Sequence, residues 1–165
     1  MLKARILTAI IILPLFLSAL FYLQDIFWAA FLLILTVVGA REWSNLAQFS
    51  VKNTIIFMLL TGLVGGELLL LLSDSSNLIS LYILSFAFWI IAVPLYLKQL
   101  YTVKNPLLWM LIGWILLLPT CLALYQLRAI NPLLLLGFMA TIWISDTAAY
   151  FTGRAFGKHK LAYTI

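Results

Sequence analysis

A short polar cluster, Ser145-Asp146-Thr147, interrupts a long apolar run near the end of the chain. An ionisable group at membrane depth costs about 2.5 to 3.5 kcal/mol on insertion scales, so Asp146 needs protein or a water-filled cavity around it. On a helix, Tyr150 and Gly153 follow Asp146 on the same face. The spacing therefore predicts a stripe that carries an acid, a phenol and a small residue.

Glycines and potential cations follow this stripe in the segment Gly153-Arg154-Ala155-Phe156-Gly157-Lys158-His159-Lys160. Flexible backbone beside clustered cations suits a phosphate group, because exposed N–H groups and Lys or Arg side chains can both approach it. A basic stop at the cytoplasmic end of a last membrane helix would produce the same charges. The buried acid nearby favours a site for an anion or a metal–phosphate complex.

The elements that must position these residues are membrane helices. Of the 165 residues 65% are hydrophobic and only 9% are charged, so a water-soluble domain of this length could not cover itself with polar surface. The apolar runs are continuous over roughly 15 to 20 residues, whereas β-barrel strands would alternate apolar and polar over about ten. The predicted fold is all-α, a polytopic membrane helix bundle with about six transmembrane helices.

We expect one transmembrane domain over residues 1–165, without a soluble domain between the spans. Asn105-Pro106 and Asn131-Pro132 each place a cap residue before a proline at the first helical position, and so predict two helix starts. Asn53 is placed to cap the third helix, and Pro94 is expected to kink the fourth. The predicted spans cover residues 6–23, 26–40, 54–73, 78–97, 107–125 and 132–151.

The formal charge of +5 invites a nucleic-acid partner, but the basic residues fall in short loops between the spans. We therefore expect no nucleic acid. Loop Lys and Arg resist translocation, which predicts a multi-pass protein of the inner cell membrane with both termini cytoplasmic. Arg128 alone falls on the opposite side. The cations on the cytoplasmic side are Lys3, Arg5, Arg41, Lys52, Lys98, Lys104, Arg154, Lys158 and Lys160.

Two further residues within apolar runs have structural interpretations. Glu67 lies about 9 Å from the outer end of its predicted helix, close enough to reach the interface. Cys121 is the only cysteine, which excludes an internal disulfide and a cysteine-based metal site, and it is expected to be a packing residue.

A family resemblance covers the whole chain, and its last twenty residues carry most of the specificity. Ser145-Asp146-Thr147-Ala148-Ala149-Tyr150, Gly153-Arg154 and Gly157-Lys158-His159-Lys160-Leu161 closely resemble a segment of bacterial phosphatidate cytidylyltransferases, also called CDP-diacylglycerol synthases. Met1-Leu2-Lys3, Arg5, Pro14 and Arg41-Glu42-Trp43 occur in similar order in that family. The resemblance implies transfer of a cytidylyl group from CTP to phosphatidic acid, with Mg²⁺ as cofactor and CDP-diacylglycerol and pyrophosphate as products, in phospholipid biosynthesis.

Residue roles follow from the same resemblance. Asp146 is the expected catalytic residue and metal ligand. Arg154, Lys158 and Lys160 are expected to contact phosphates of CTP or lipid. His159 is expected to be an exposed neighbour. The residues expected to form hydrogen bonds in the same pocket are Ser145, Thr147 and Tyr150.

The sequence departs from the family after residue 165. Family members continue into a Ser-Pro-x-Lys-Thr stretch, further helices and a C-terminal signature with the main metal- and nucleotide-binding carboxylates. We therefore expect an N-terminal portion that is inactive alone and is completed by a C-terminal portion or by a second copy of the chain.

Two alternative functions remain open on sequence grounds. One is a related CTP-dependent polyprenol kinase, which would share a polar helix beside a basic cytoplasmic loop. The other is a small transporter subunit or a scaffold, in which Asp146 would relay ions or protons. A relay needs further ionisable partners at a similar depth.

Overall fold

A computed structural model describes residues 2–71, 78–99 and 105–157, with backbone alone for residues 2–9, 71 and 97–99. Five helical stretches are long and apolar enough to cross a membrane, and α1 adds a helix of 21 residues. The described residues contain no β-strand, so the predicted all-α multi-pass bundle is confirmed. The elements are α1 (Leu2–Tyr22), α2 (Asp25–Leu46), α3 (Val51–Leu71), α4 (Ile79–Ala87), a π-helical segment (Phe88–Ala92), α5 (Val93–Gln99), α6 (Pro106–Ile130) and α7 (Pro132–Phe156).

Several helices extend past the apolar runs that predict them. Helix α2 continues to Leu46, α6 to Ile130 and α7 to Phe156. Hydropathy marks where the apolar run ends, but backbone hydrogen bonding continues through polar residues. The predicted cap at Asn53 is wrong, because α3 already begins at Val51 and the Asn53 N–H donates to Oγ of Ser50 at 3.3 Å.

The two Asn-Pro pairs start helices as predicted. Oδ1 of Asn105 accepts from the N–H of Leu107 at 2.9 Å, and Oδ1 of Asn131 accepts from the N–H of Leu133 at 2.8 Å. Each bond satisfies one of the N–H groups that a helix start leaves free. Asn131 is also the one residue between α6 and α7, so its extended backbone sets the turn between them.

Asn131→Ala is expected to lower the free energy of unfolding by about 1 kcal/mol, because it removes the cap of α7. Asn131→Asp keeps a capping oxygen and should stay close to the wild type. Thermal unfolding in detergent, followed by circular dichroism, compares the two variants. Equal losses in both would contradict a capping role and point to the turn itself.

The fourth span widens where it meets Pro94. The N–H of Val93 donates to the carbonyl of Phe88, five residues earlier, which is the hydrogen bond of a π-helix. Proline lacks an N–H and its ring crowds the carbonyl four residues before it. The wider turn therefore accommodates Pro94 where the sequence predicts a kink.

Helices α2, α3 and α6 pack together at the centre of the bundle. Polar side chains link them, since Nε1 of Trp114 donates to Oγ1 of Thr61 at 3.0 Å and Nε1 of Trp43 donates to the carbonyl of Trp109 at 2.8 Å. A buried cluster lies near the connections that join α1 to α2 and α6 to α7. Its buried members are Leu20, Trp28, Ala29, Leu32, Leu69, Leu78, Cys121, Leu122 and Leu135.

Arg128 lies within α6 and is only 9% exposed, although the sequence places it in a loop beyond the fifth span. Its Nε donates to the carbonyl of Leu20 at 2.8 Å, and Nη2 donates to the carbonyl of Leu23. Nη1 pairs with Oδ1 of Asp25 at 2.8 Å, and the guanidinium lies 5.2 Å from the ring centre of Trp28. One side chain thus caps the end of α1 and joins it to the start of α2.

Candidate active site

Helix α7 carries the polar cluster predicted from sequence. It starts in the buried cluster, where Leu135 is fully buried, and every residue from 141 to 157 is exposed. Ser145, Asp146 and Thr147 therefore lie on a stretch that no other described helix covers. A lipid-facing carboxylate costs about 2.5 to 3.5 kcal/mol, so this stretch suits water, a ligand or further protein better than lipid.

A groove with a volume of about 440 Å³ separates α7 from α1 and reaches Asp146. Asp146 and Thr147 are the polar side chains of its lining, and Ile12, Leu13, Phe16 and Trp143 form its apolar walls. The rings of Phe16 and Trp143 meet edge to face with centres 5.8 Å apart, which links α1 to α7. The groove thus pairs one carboxylate and one hydroxyl with a surface that fits apolar groups.

The other predicted site residues that the structure describes do not line this groove. Ser145, Tyr150 and Arg154 are exposed on α7 but do not belong to the groove lining. The ring of Tyr150 packs edge to face against Phe151 at 5.5 Å. Three residues of the basic segment lie outside the part of the chain that the structure describes: Lys158, His159 and Lys160.

The match to known proteins decides the family. Residues 3–165 match the Cytidylyltransferase family. The chain belongs to this family.

Two relatives in the cytidylyltransferase family are named phosphatidate cytidylyltransferase. The protein from Haemophilus influenzae is 31% identical over 185 residues, an alignment that covers 98% of this chain and 64% of the relative. The protein from Pseudomonas aeruginosa is 33% identical over 171 residues, and this alignment covers 98% of this chain and 61% of the relative. This chain therefore spans a little less than two thirds of each relative. No solved structure matches the chain.

The potential metal ligands that the structure describes do not form a metal site by themselves. Among the described residues, no three His, Cys, Asp or Glu side chains come together closely enough to hold a metal ion. Glu42 lies exposed on α2 and Glu67 exposed on α3, and neither lines the groove at Asp146. A Mg²⁺ site usually takes one or two carboxylates with waters and phosphates. Asp146 alone gives at most one of these ligands.

The apolar walls of the groove could not be found by motif. Phe16 and Trp143 resemble ordinary membrane-helix residues in the sequence, and only their meeting across α1 and α7 makes them part of a site. One local signal was available, since Trp143 precedes Asp146 by three residues and so shares its helix face. No local sequence pattern indicates that α1 packs beside α7.

Proposed function

We propose that this chain supplies membrane helices of a phosphatidate cytidylyltransferase, which forms CDP-diacylglycerol from CTP and phosphatidic acid for phospholipid synthesis. The observation that carries the proposal is the family match over residues 3–165, together with two relatives that bear this name. The groove at Asp146 adds physical support, because an apolar wall beside polar groups suits a substrate with a lipid tail and a phosphate.

The proposed reaction is a displacement at phosphorus. An oxygen of the lipid phosphate attacks the α-phosphorus of CTP, and the bond from that phosphorus to the oxygen bridging the β-phosphate breaks. The bridging oxygen takes the electron pair and leaves as part of pyrophosphate. Such a transfer depends on positioning and on neutralising the phosphate charges, so it needs cations near a fixed lipid headgroup.

The residue roles follow their placement on α7. Thr147, which lines the groove, would donate a hydrogen bond to the reacting headgroup, and Asp146 beside it would help to hold the cation that neutralises this phosphate. Arg154 lies exposed two turns further along α7, where it would contact a substrate phosphate. Ser145 and Tyr150, which lie on the same helix, would donate hydrogen bonds to the substrate. Lys158 and Lys160 follow in the sequence and would contact further phosphates.

Mg²⁺ is the proposed cofactor, and Asp146 would be one of its ligands. A divalent ion would supply charge neutralisation at the triphosphate. Because the described residues bring no second carboxylate to Asp146, no step of the reaction is assigned to the metal here. The remaining ligands would have to come from outside the described residues.

The orientation and the extent of the domain are also proposals. If α4, the π-helical segment and α5 count as one crossing, α1 brings the number to six, and an even number supports the proposal that both termini lie on one side. The excess of Lys and Arg in the predicted loops on that side supports a cytoplasmic location for it, in the inner membrane. Asp146 would then lie near the cytoplasmic half of a single transmembrane domain.

A chimera tests the function itself. In it, this chain replaces the matching segment of the Pseudomonas aeruginosa relative, and formation of CDP-diacylglycerol is measured in membranes. We expect an active chimera whose Asp146→Asn variant loses on the order of a hundredfold in kcat, the scale expected when a group that positions the reacting atoms is lost. Glu67→Gln removes an exposed carboxylate outside the groove and should stay active.

The outcomes separate the proposed function from its alternatives. An inactive chimera that reaches the membrane in normal amount would contradict the proposal. Phosphorylation of a polyprenol in place of cytidylyl transfer would favour the kinase. A proton relay has no support among the groove residues, since Asp146 is the one ionisable side chain in the described lining.

A further inference from the structure

Phe16 lies where three helices meet. Its ring is half-buried on α1 and packs edge to face against Trp143 of α7, with ring centres 5.8 Å apart. A second edge-to-face contact joins the same ring to Trp28 of α2 at 6.0 Å. Trp28 is only 1% exposed and belongs to the buried cluster near the helix connections. Phe16 therefore links α7 to that cluster.

The part of α7 that carries the candidate site has little cover of its own. Every residue from 141 to 157 is exposed. Among the ring pairs described, the contact of Phe16 with Trp143 is the one that joins this stretch to another helix. The position of the stretch relative to α1 therefore depends on this pair of rings.

Helices α1 and α7 run in opposite directions. Nε of Arg128 donates to the carbonyl of Leu20 at 2.8 Å, so the end of α1 lies beside the end of α6. Only one residue separates α6 from the start of α7 at Pro132. The end of α1 is thus close to the start of α7, and positions further along α7 face positions further back along α1.

The groove at Asp146 lies to one side of the ring pair. Ile12 precedes Phe16 by one turn on α1, and Thr147 follows Trp143 by one turn on α7. Because the two helices are antiparallel, Ile12 and Thr147 lie on the same side of the rings. The ring pair therefore marks one end of the groove, and Asp146 and Thr147 lie about 5 to 6 Å beyond it along α7.

The ring pair fixes this geometry more closely than aliphatic packing would. Aromatic rings that meet edge to face prefer a defined separation and angle, here 5.8 Å and 77°. Leucine fills part of the volume but offers no ring edge. A misplacement of about 1 Å at a reacting centre can cost about a hundredfold in rate. A side chain that touches no reacting group can therefore control the rate by holding α7.

We propose that Phe16 is a positioning residue of the cytidylyl transfer, which holds Trp143 and so fixes Asp146 and Thr147 relative to α1. Phe16 acts through Trp143 and is assigned no contact with the reacting atoms. The chemical part of this inference rests on the proposed function. The fixing of α7 by Phe16 is tested without any substrate.

Kinetics of the chimera described above test the role in the reaction. Phe16→Leu should lower kcat about tenfold and leave the KM for CTP within about twofold, because it disturbs positioning and removes no contact to the nucleotide. Phe16→Tyr keeps the ring and should retain most of kcat.

Phe31→Leu is the matched control in the same chimera. Phe31 also packs against Trp28, with ring centres 5.5 Å apart, but it lies on α2 and does not line the groove. Phe16→Leu and Phe31→Leu each remove one ring from Trp28, so thermal unfolding should show similar losses of stability. Only Phe16→Leu should lower kcat.

Cross-linking of the 165-residue chain in membranes tests the geometry by itself. Cys121→Ala removes the one native cysteine, and Leu13→Cys with Thr147→Cys places thiols on the two helices that line the groove. With a short bifunctional thiol reagent, Phe16→Leu should slow cross-linking severalfold, and Phe31→Leu should leave the rate unchanged.

The outcomes separate this inference from the proposed function. Equal cross-linking rates with and without Phe16→Leu would overturn the fixing of α7. A kcat that falls equally in Phe16→Leu and Phe31→Leu would overturn the positioning role and assign the loss to stability. A chimera without cytidylyl transfer, beside cross-linking that depends on Phe16, would contradict the proposed function while the fixing of α7 stands.

Discussion

Replacing Arg128 with methionine is expected to lower the free energy of unfolding by about 3 kcal/mol, the largest loss for any single polar side chain described here. The change removes the donors to the carbonyls of Leu20 and Leu23 at the end of α1. Among the hydrogen bonds described, no other side chain donates to these two carbonyls. Methionine fills much of the volume but donates nothing. Thermal unfolding in detergent, followed by tryptophan fluorescence and circular dichroism, measures the loss.

Three further variants separate capping from charge. Arg41→Met makes the same change at an exposed position and should cost little. Asp25→Asn should cost under about 1 kcal/mol, because the Asp25 side chain is 81% exposed and its ion pair is screened. Arg128→Lys keeps the charge but loses the planar fork of donors, so an intermediate loss is expected. A loss in Asp25→Asn as large as in Arg128→Met would contradict carbonyl capping and assign the effect to the ion pair.

Arg128 also shows what the sequence could not predict about the fold. Apolar run length, proline position and the Asn-Pro pairs predicted the helices and two of their starts, because these signals are local. The environment of Arg128 depends on the end of a helix more than a hundred residues earlier in the chain. A charged residue at the edge of an apolar run predicts a loop. Only the contacts with α1 show that Arg128 is buried and caps that helix.

The candidate site divides in the same way. Asp146 could be found from sequence, because an acid within an apolar run carries a cost that needs a reason. Its apolar neighbours on α1 could not be found, since Ile12, Leu13 and Phe16 differ in no local way from other lipid-facing residues. Among the described residues Asp146 is exposed and lines an open groove, so the expectation that protein or a water-filled cavity surrounds it stays a prediction.

Gly113→Leu is expected to lower the free energy of unfolding by about 3 kcal/mol, because the position has no space for a side chain. A Cβ on Gly113 would lie 2.7 Å from the ring of Trp43 and 2.8 Å from the ring of Phe57, which is fully buried. Both atoms belong to rigid rings, and the hydrogen bond to Trp109 fixes the first. The new side chain must displace Trp43 and break that bond, so near-ultraviolet circular dichroism should change together with the unfolding temperature.

Gly137 provides the matched control on the neighbouring helix. A Cβ there meets nothing within 4 Å, and the residue is exposed near the start of α7. Gly137→Leu should therefore leave the stability unchanged or raise it by up to about 1 kcal/mol, since glycine is a poor residue inside a helix. Gly113→Ala should lie between the wild type and Gly113→Leu, because one methyl group already overlaps both rings. If Gly113→Leu and Gly137→Leu unfold alike, the close contact of α6 with Trp43 and Phe57 does not exist.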